Sequence, residues 1–259
     1  MAKQKGVIAF DFDRVIGDSV KECYVQSVKA YADVGSELKA NQAVERKFRE
    51  ARPLITKVEH FFTVMRLIEQ NPRIRFSKLN QADFNREYAK DETRASEFTK
   101  RFYARRQEMQ KTAPREWLAL QGAFPGVARI IKKIQKSNQV FIATTKDKAS
   151  VAELLRSYGI QIPEQNILAR EFSLDKREQL KEIARKAGVQ PNQIILVEDA
   201  VEQLKKVSEI GARGVLARWG YSTKAQKREA RKERIPIIRR GITGTVARMK
   251  IRKQQKRRR

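Results

Sequence analysis

The sequence predicts an α/β protein with a doubly wound parallel-sheet core and an inserted all-helical domain. From residue 124 onward, short apolar runs alternate with amphipathic helical stretches, which is typical of parallel sheets. A further apolar run at 6–12 precedes a long segment without strand signals. Together these patterns place one strand before the insert and the others after it.

The first half begins with a strand and continues as helices. Residues 6–12, GVIAFDF, form a short apolar run ending in carboxylates, which indicates a buried strand with polar groups at its tip. A helix is predicted over 19–31. Helical spacing then continues over 41–72, interrupted by Pro53, and one further long stretch spans 83–110. That stretch carries an aromatic stripe, which we interpret as packing: Phe84, Tyr88, Phe98, Phe102 and Tyr103.

The second half, which starts at Phe124-Pro125-Gly126, alternates helices and strands. The predicted helices are 127–138, 146–159, 175–188 and 201–212, followed by a basic helix and a last helix before the tail. The predicted strands are 139–145, 166–170, 192–200, 214–220 and 235–238. This order predicts that the strands form one parallel sheet with helices between them.

The composition excludes several classes of protein. Hydrophobic residues make up 41% of the 259 residues, too many for a wholly disordered chain. No apolar run approaches the ~18 residues that span a bilayer. The N-terminus has carboxylates in its apolar run, unlike a secretory signal. A single cysteine, Cys23, excludes an intrachain disulfide, and we expect a reducing, cytoplasmic location.

Charge is the strongest compositional feature. The net charge is +27, and residues 221–259 hold 16 basic and 2 acidic residues. Such a field favours polyanions: nucleic acid, an anionic membrane surface or phosphorylated metabolites. A charged surface of the thermophile kind is the alternative for the body of the protein. For the tail at 252–259 we expect disorder or contact with RNA or another polyanion.

Polar side chains stand at the predicted carboxyl ends of three strands and at one helix start. In an open α/β sheet these ends meet at one edge, where ligands bind. Four carboxylates, hydroxyls and lysines therefore converge, which indicates a site for a hard cation such as Mg²⁺ and for phosphate. Each piece alone has a structural explanation, such as turn formation or helix capping. The residues are Asp11, Asp13, Thr144, Thr145, Lys146, Lys176, Glu198 and Asp199.

Over nearly its whole length the chain resembles the haloacid-dehalogenase-like hydrolase superfamily. FDFDRVIGDS at 10–19 is similar to the first motif of its phosphatases, and IATTK at 142–146 to the second. Lys176 fits the third motif. VEDAVEQLKKVSEIGA at 197–212 is similar to the fourth, in its Glu-Asp variant. The insert resembles the helical C1-type cap of members such as phosphoglycolate phosphatase and beta-phosphoglucomutase.

The resemblance implies roles for the residues at the strand ends. Asp11 is expected to attack phosphorus and form an aspartyl-phosphate. Asp13 is expected to act as general acid and then base. Thr144 would bind the phosphoryl group and Lys176 would stabilise its charge. The Mg²⁺ ligands would be Asp11, the carbonyl of Asp13, Glu198 and Asp199.

Two positions depart from the family pattern. Arg14 replaces the usual glycine, and it is expected to bind a second substrate anion, to be neutral, or to mark a loop that has drifted. Together with Thr145 and Lys146, Arg14 is a predicted substrate-binding residue. Gln203 stands where many relatives have an aspartate, and Glu202 lies beside it.

The predicted organisation is a hydrolase core at 1–18 and 121–251, with a helical cap at 19–120. The predicted function is Mg²⁺-dependent phosphomonoester hydrolysis of a small phosphorylated metabolite. Dehalogenases of the superfamily lack a carboxylate at the position of Asp13, so the resemblance implies phosphoryl transfer rather than carbon–halogen chemistry. Two alternatives remain open: a phosphomutase using the same residues, and a nucleic-acid-associated basic protein that retains the fold.

Overall fold

The computed structural model describes residues 6–238. The predicted tail at 252–259 and the helix expected before it lie outside the described residues. The chain divides into two compact units. One comprises the residues up to Asp18 and those from Gly122 onward, and the other is Ser19–Gln121.

The first unit is built on a parallel sheet. In the described part of the chain this sheet has six strands in the order β5-β4-β1-β6-β7-β8. β2 and β3 form a separate antiparallel pair, which the sequence patterns did not indicate. The strands are β1 (Gly6–Phe10), β2 (Gly17–Asp18), β3 (Gly122–Ala123), β4 (Asn138–Ala143), β5 (Ile167–Leu168), β6 (Ile194–Glu198), β7 (Arg213–Ala217) and β8 (Ile237–Ile238).

The helices fall into two groups, one in each unit. Those of the inserted unit are α1 (Val20–Asp33), α2 (Gln42–Ala51), α3 (Glu59–Gln70), α4 (Gln81–Ala89), α5 (Glu92–Thr112) and α6 (Pro114–Ala119). Those of the sheet unit are α7 (Val127–Gln135), α8 (Lys148–Ser157), α9 (Lys176–Ala187), α10 (Val201–Ser208) and α11 (Lys224–Lys232). A 3₁₀ turn at Arg52–Leu54 separates α2 from α3 at the predicted break.

Both faces of the sheet are covered, as expected for a doubly wound fold. Side chains alternate along a strand, so Val7 and Ala9 lie on one face, where they cluster with α9 and α10. Ile8 and Phe10 point to the other face and are also buried. The buried face of helix α7 packs against β4. The α/β fold class is therefore confirmed.

The strand register brings the candidate site together. Phe10 pairs with Ile142 on β4 and with Val197 on β6. The backbone N–H of Asp11 donates to the carbonyl of Val197 at 2.9 Å. The residues following these three strands therefore lie side by side at one edge.

The inserted unit has an aromatic core. Phe84, Phe98 and Phe102 are fully buried, which agrees with the packing interpretation of the aromatic stripe. The long stretch predicted as helical over 83–110 forms two helices, α4 and α5, with a turn between them. At that turn the buried carboxylate of Asp91 contacts Arg66 Nε of α3 at 2.8 Å, so the chain bends where the contact is made.

The buried polar groups of the inserted unit include a histidine and an ion pair. His60 is buried beside the rings of Phe84 and Tyr88, and its Nδ1 accepts a hydrogen bond from the backbone of Thr56. Arg106 forms a two-pronged ion pair with Glu22, with distances of 2.8 and 2.7 Å.

Across residues 6–238, none of the helices combines the length and the apolar character that crossing a membrane requires.

Candidate active site

Asp11 and Lys176 form the centre of the site. Asp11 follows β1, and Lys176 is the first residue of α9, which Asp175 caps by accepting the backbone N–H of Arg177 at 2.8 Å. Lys176 Nζ lies 2.5 Å from Asp11 Oδ1 and also donates to the carbonyl of Ala143. Both side chains are buried. The strand end and the helix start thus hold opposite charges in contact.

Burial makes these charges depend on one another. Desolvation raises the pKa of Asp11, and the neighbouring Lys176 opposes that rise. The pKa of Glu198 is raised to about 8, first by burial and then by repulsion from Asp11. Burial lowers the pKa of Lys176, but attraction to Asp11 and Glu198 outweighs it, so the net direction is upward. The raised pKa of Glu198 indicates that a further positive charge would stabilise the ionised form of this carboxylate.

Three carboxylates in the described part of the chain are close enough to share an ion. Oxygen atoms of Asp11, Glu198 and Asp199 all lie within 4.8 Å of one another. Glu198 Oε1 accepts the backbone N–H groups of Asp199 at 2.8 Å and Ala200 at 3.1 Å. These bonds hold the β6 tip in a fixed conformation.

The two carboxylate oxygens of Asp199 differ in their hydrogen bonding. Its Oδ2 accepts the backbone N–H of Tyr221 at 3.0 Å. Its Oδ1 is buried and accepts no hydrogen bond from the described residues. A buried oxygen of this kind, within a set of carboxylates, suits Mg²⁺. The predicted role of Asp13 as a ligand concerns its backbone carbonyl and stays a prediction.

The loop after β1 is a tight turn. Its geometry comes from the carbonyl of Phe12, which accepts the N–H groups of Ile16 at 2.8 Å and Gly17 at 3.0 Å. The Asp13 carboxylate lies 3.6 Å from Lys146 Nζ. Asp13 and Lys146 therefore face the same space at the carboxyl edge of the sheet.

Arg14 occupies an unusual backbone position within this turn. Its φ is +70°, in the left-handed region. Its Nε lies 3.2 Å from Asp199 Oδ1, close enough for an ion pair but without the angle of a hydrogen bond. The guanidinium is thus directed at Asp199, whereas the sequence-based expectation directed it at a substrate anion. Its role in substrate binding stays a prediction.

The second predicted motif has one buried and one exposed threonine. Thr144 is buried, and its Oγ1 accepts the backbone N–H of Lys146 at 3.2 Å. Its carbonyl accepts a hydrogen bond from Gln179 Nε2 at 2.7 Å. Thr145 is exposed, whereas Lys146 is buried. Gln179, which sequence reasoning missed, links α9 to the β4 tip.

The loop after β7 supports the site, and sequence reasoning missed its role. Trp219 and Tyr221, which follow this strand, are half-buried. Trp219 Nε1 donates to the carbonyl of Val15 at 2.9 Å, and Tyr221 Oη to Asp18 at 2.9 Å. These contacts span about 200 positions in the chain, so no local motif reveals them. The sequence feature that could have indicated this supporting role is Gly220, a glycine between two aromatic residues after a strand.

The position four residues after Asp199 provides no carboxylate. Gln203 is half-buried on α10. Glu202 is exposed and pairs with Lys206 at 2.9 Å on the same helix. Neither residue belongs to the carboxylate group described above.

A family model for haloacid dehalogenase-like hydrolases matches residues 6–205. No curated protein matched the chain in sequence. The family relationship is therefore shown by the family model, and the similarity of fold is shown by solved structures.

Solved structures share the fold at low sequence identity. A haloacid dehalogenase-like hydrolase from Streptococcus pneumoniae has a TM-score of 0.61 at 14% identity, covering 95% of this chain and 99% of that one. A predicted phosphoglycolate phosphatase from Haemophilus somnus has a TM-score of 0.63 at 14% identity, with coverages of 95% and 100%. A predicted phosphatase from Clostridium acetobutylicum has a TM-score of 0.56 at 10% identity, with coverages of 95% and 99%.

Proposed function

Because the chain belongs to the haloacid dehalogenase-like hydrolase family, we propose that it is a phosphomonoesterase acting through Asp11. The observation that carries the proposal is the buried contact of 2.5 Å between Asp11 and Lys176. A carboxylate nucleophile needs a nearby positive charge to accept an anionic phosphate. Lys176 supplies that charge.

In the first step an oxygen of Asp11 forms a bond to phosphorus. The bond between phosphorus and the ester oxygen breaks, and Asp13 gives a proton to that departing oxygen. The products are the free alcohol and a phosphoryl group on Asp11. Thr144 and Lys176 bind the phosphoryl oxygens during this transfer.

In the second step water attacks the phosphoryl group. Asp13, now a carboxylate, takes a proton from the water, and the bond between phosphorus and Asp11 breaks. Inorganic phosphate leaves and both aspartates return to their starting states. The Asp13 carboxylate lies 3.6 Å from Lys146 Nζ, at the same edge of the sheet as Asp11, and this position supports its part in both proton transfers.

The carboxylate group supports Mg²⁺ as the cofactor. Asp11, Glu198 and Asp199 would hold the ion together with the carbonyl of Asp13. When bound, Mg²⁺ offsets the negative charge of phosphate and carboxylate. The buried Oδ1 of Asp199, which accepts no hydrogen bond from the described residues, supports this assignment.

We propose a small phosphorylated metabolite as the substrate. Thr145 and Lys146 at the sheet edge would contact it, and Arg14 would join them when its guanidinium is not held at Asp199. The helical unit at 19–121 would act as the cap that selects the substrate. The similarity to a predicted phosphoglycolate phosphatase supports phosphoglycolate and sugar phosphates as the first compounds to test.

The test is hydrolysis of p-nitrophenyl phosphate with Mg²⁺. We expect turnover that EDTA abolishes, that Asp11→Asn reduces by at least about 10³-fold, and that Lys181→Gln, on the exposed side of α9, leaves unchanged. A screen of phosphorylated metabolites then measures release of inorganic phosphate. Turnover of Asp11→Asn at the wild-type rate would contradict the proposal. Transfer of phosphate between hydroxyls of one sugar, without its release, would identify a phosphomutase instead.

A polyanion role for the C-terminal region stays a separate prediction. Four basic residues of α11, Lys224, Arg228, Arg231 and Lys232, are exposed, and the sequence beyond them is strongly basic. Truncation after residue 251 should weaken salt-dependent RNA binding and leave phosphatase activity intact. Absence of RNA binding by the full chain at moderate salt would contradict this prediction.

A further inference from the structure

We propose that Arg14 competes with the divalent cation for Asp199 and so sets the metal affinity of the site. This inference rests on the proposed function. It assigns Arg14 the role of an internal counter-charge that metal binding must displace. The consequence is a site that binds Mg²⁺ more weakly than the same carboxylates would without Arg14.

The competition follows from which oxygen the guanidinium approaches. Arg14 Nε lies 3.2 Å from Asp199 Oδ1, the buried oxygen that accepts no hydrogen bond from the described residues. The other oxygen, Oδ2, is already bound by the backbone of Tyr221. Oδ1 is therefore the oxygen of Asp199 that both a cation and Arg14 would use.

Charge makes joint occupancy unfavourable. Arg14 is attracted by Asp199, Glu198, Asp11 and Asp13 together. These are the carboxylates assigned to the metal and to the reaction. A divalent cation placed among them would face a like charge a few ångströms away, in surroundings where water screens poorly.

The arrangement also allows the guanidinium to leave. Arg14 Nε is buried but makes no hydrogen bond with the described residues, and 17% of the side chain is exposed, so part of the side chain reaches the surface. The backbone is held independently, because the N–H of Arg14 donates to the carbonyl of Gly17 at 2.8 Å. The side chain can therefore move without unfolding the turn that positions Asp13.

The test measures Mg²⁺ binding by isothermal titration calorimetry. Arg14→Asn removes the guanidinium and keeps a residue that tolerates positive φ; Arg14→Gly is the second variant if the first folds poorly. Arg218→Gln removes one exposed positive charge from the end of β7 and controls for net charge. Asp199→Asn removes the contested carboxylate.

We expect Arg14→Asn to bind Mg²⁺ at least about tenfold more tightly than the wild type, and Arg218→Gln to stay within about twofold. The rise in melting temperature at a fixed Mg²⁺ concentration should be larger for Arg14→Asn than for the wild type. This second readout does not depend on turnover.

The outcomes separate the inference from the proposed function. Equal or weaker Mg²⁺ binding by both Arg14 variants would overturn the inference and leave the phosphatase proposal standing. A similar gain in Arg218→Gln would overturn it as well, because net charge alone would explain the result. Absence of Mg²⁺ binding by the wild type and all variants, together with turnover resistant to EDTA, would overturn the metal assignment on which both rest.

Discussion

Gly220 lies against Asp199 so closely that a side-chain carbon at position 220 would overlap the Asp199 side chain. The same carbon would come within 2.9 Å of the backbone carbonyl of Arg14. The loop after β7 therefore presses on two functional positions at once. This contact explains how Tyr221 reaches Asp199 with its backbone N–H.

Gly220→Ala should reduce turnover strongly and lower the free energy of unfolding only moderately. The added methyl must displace Asp199 or Arg14, and displacements of about 1 Å at a catalytic group reduce turnover by about 10–100-fold. The cost to the free energy of unfolding should be about 1–3 kcal/mol. Steady-state kinetics and urea unfolding measure the two effects. Gly122→Ala is the control, since its Cβ would meet no atom of the described residues within 4 Å; equal effects of the two variants would refute the argument.

Lys176→Met should abolish most activity while preserving side-chain volume. Removing the ammonium leaves Asp11 and Glu198 buried without their shared cation, and we expect a fall in kcat of about 10²–10³-fold. Lys181→Met on the same helix is the matched control, because its side chain is 52% exposed and pairs only with nearby Glu178 among the contacts described. A Lys176→Met enzyme with wild-type kcat would exclude a role for this lysine in the reaction.

His60 should make stability depend on pH. Burial, together with repulsion from Lys57, lowers the pKa of His60 in the folded state to about 4, below the ordinary value of 6.5. The unfolded chain therefore binds the proton more readily, so the stabilising effect is complete above pH 6.5 and is lost as the pH falls towards 4. The loss should reach about 1–3 kcal/mol.

Urea unfolding at pH 7 and pH 4.5 tests this dependence. Wild type should lose more free energy of unfolding between the two values than His60→Gln, whose side chain does not titrate. The difference between the two losses excludes the contributions of the carboxylates, because both proteins share them. An equal loss of free energy of unfolding in the two proteins would show that His60 binds its proton with the same affinity in the folded and unfolded states.

Two adjacent arginines of α5 should differ sharply in their contribution to stability. Arg106 pairs with the fully buried Glu22, whereas Arg105 is 39% exposed and pairs with Asp33. Arg106→Met leaves a buried carboxylate without its partner and should cost about 3–5 kcal/mol. Arg105→Met should cost less than about 1 kcal/mol. Thermal and urea unfolding provide the comparison.

The double variant Glu22→Leu with Arg106→Met distinguishes the loss of attraction from the cost of an isolated charge. It should recover most of the stability lost in Arg106→Met, because no charge remains buried. A double variant as unstable as Arg106→Met would show that packing, rather than the unpaired Glu22, dominates.

The class of fold and the sheet edge at which the site lies follow from the amino-acid sequence alone. Apolar runs such as Ile194–Val197 are too short for helices and too uniformly apolar for an exposed face, so they predict buried parallel strands. Because parallel strands end at one edge, Asp11, Thr144 and Glu198 were predicted as neighbours from local pattern alone. The structure has these three residues at adjacent strand ends.

The pairing of these groups depends on how the helices and strands pack together. The direction of Arg14 toward Asp199, the support of Asp199 by Tyr221 and the link from Gln179 to Thr144 each join residues distant in the chain. The break between α4 and α5 likewise depends on Asp91 meeting Arg66. Periodicity records which face of an element is buried, but it contains no information about which polar group on another element lies opposite. That choice is made when the elements pack and each buried charge must find a partner.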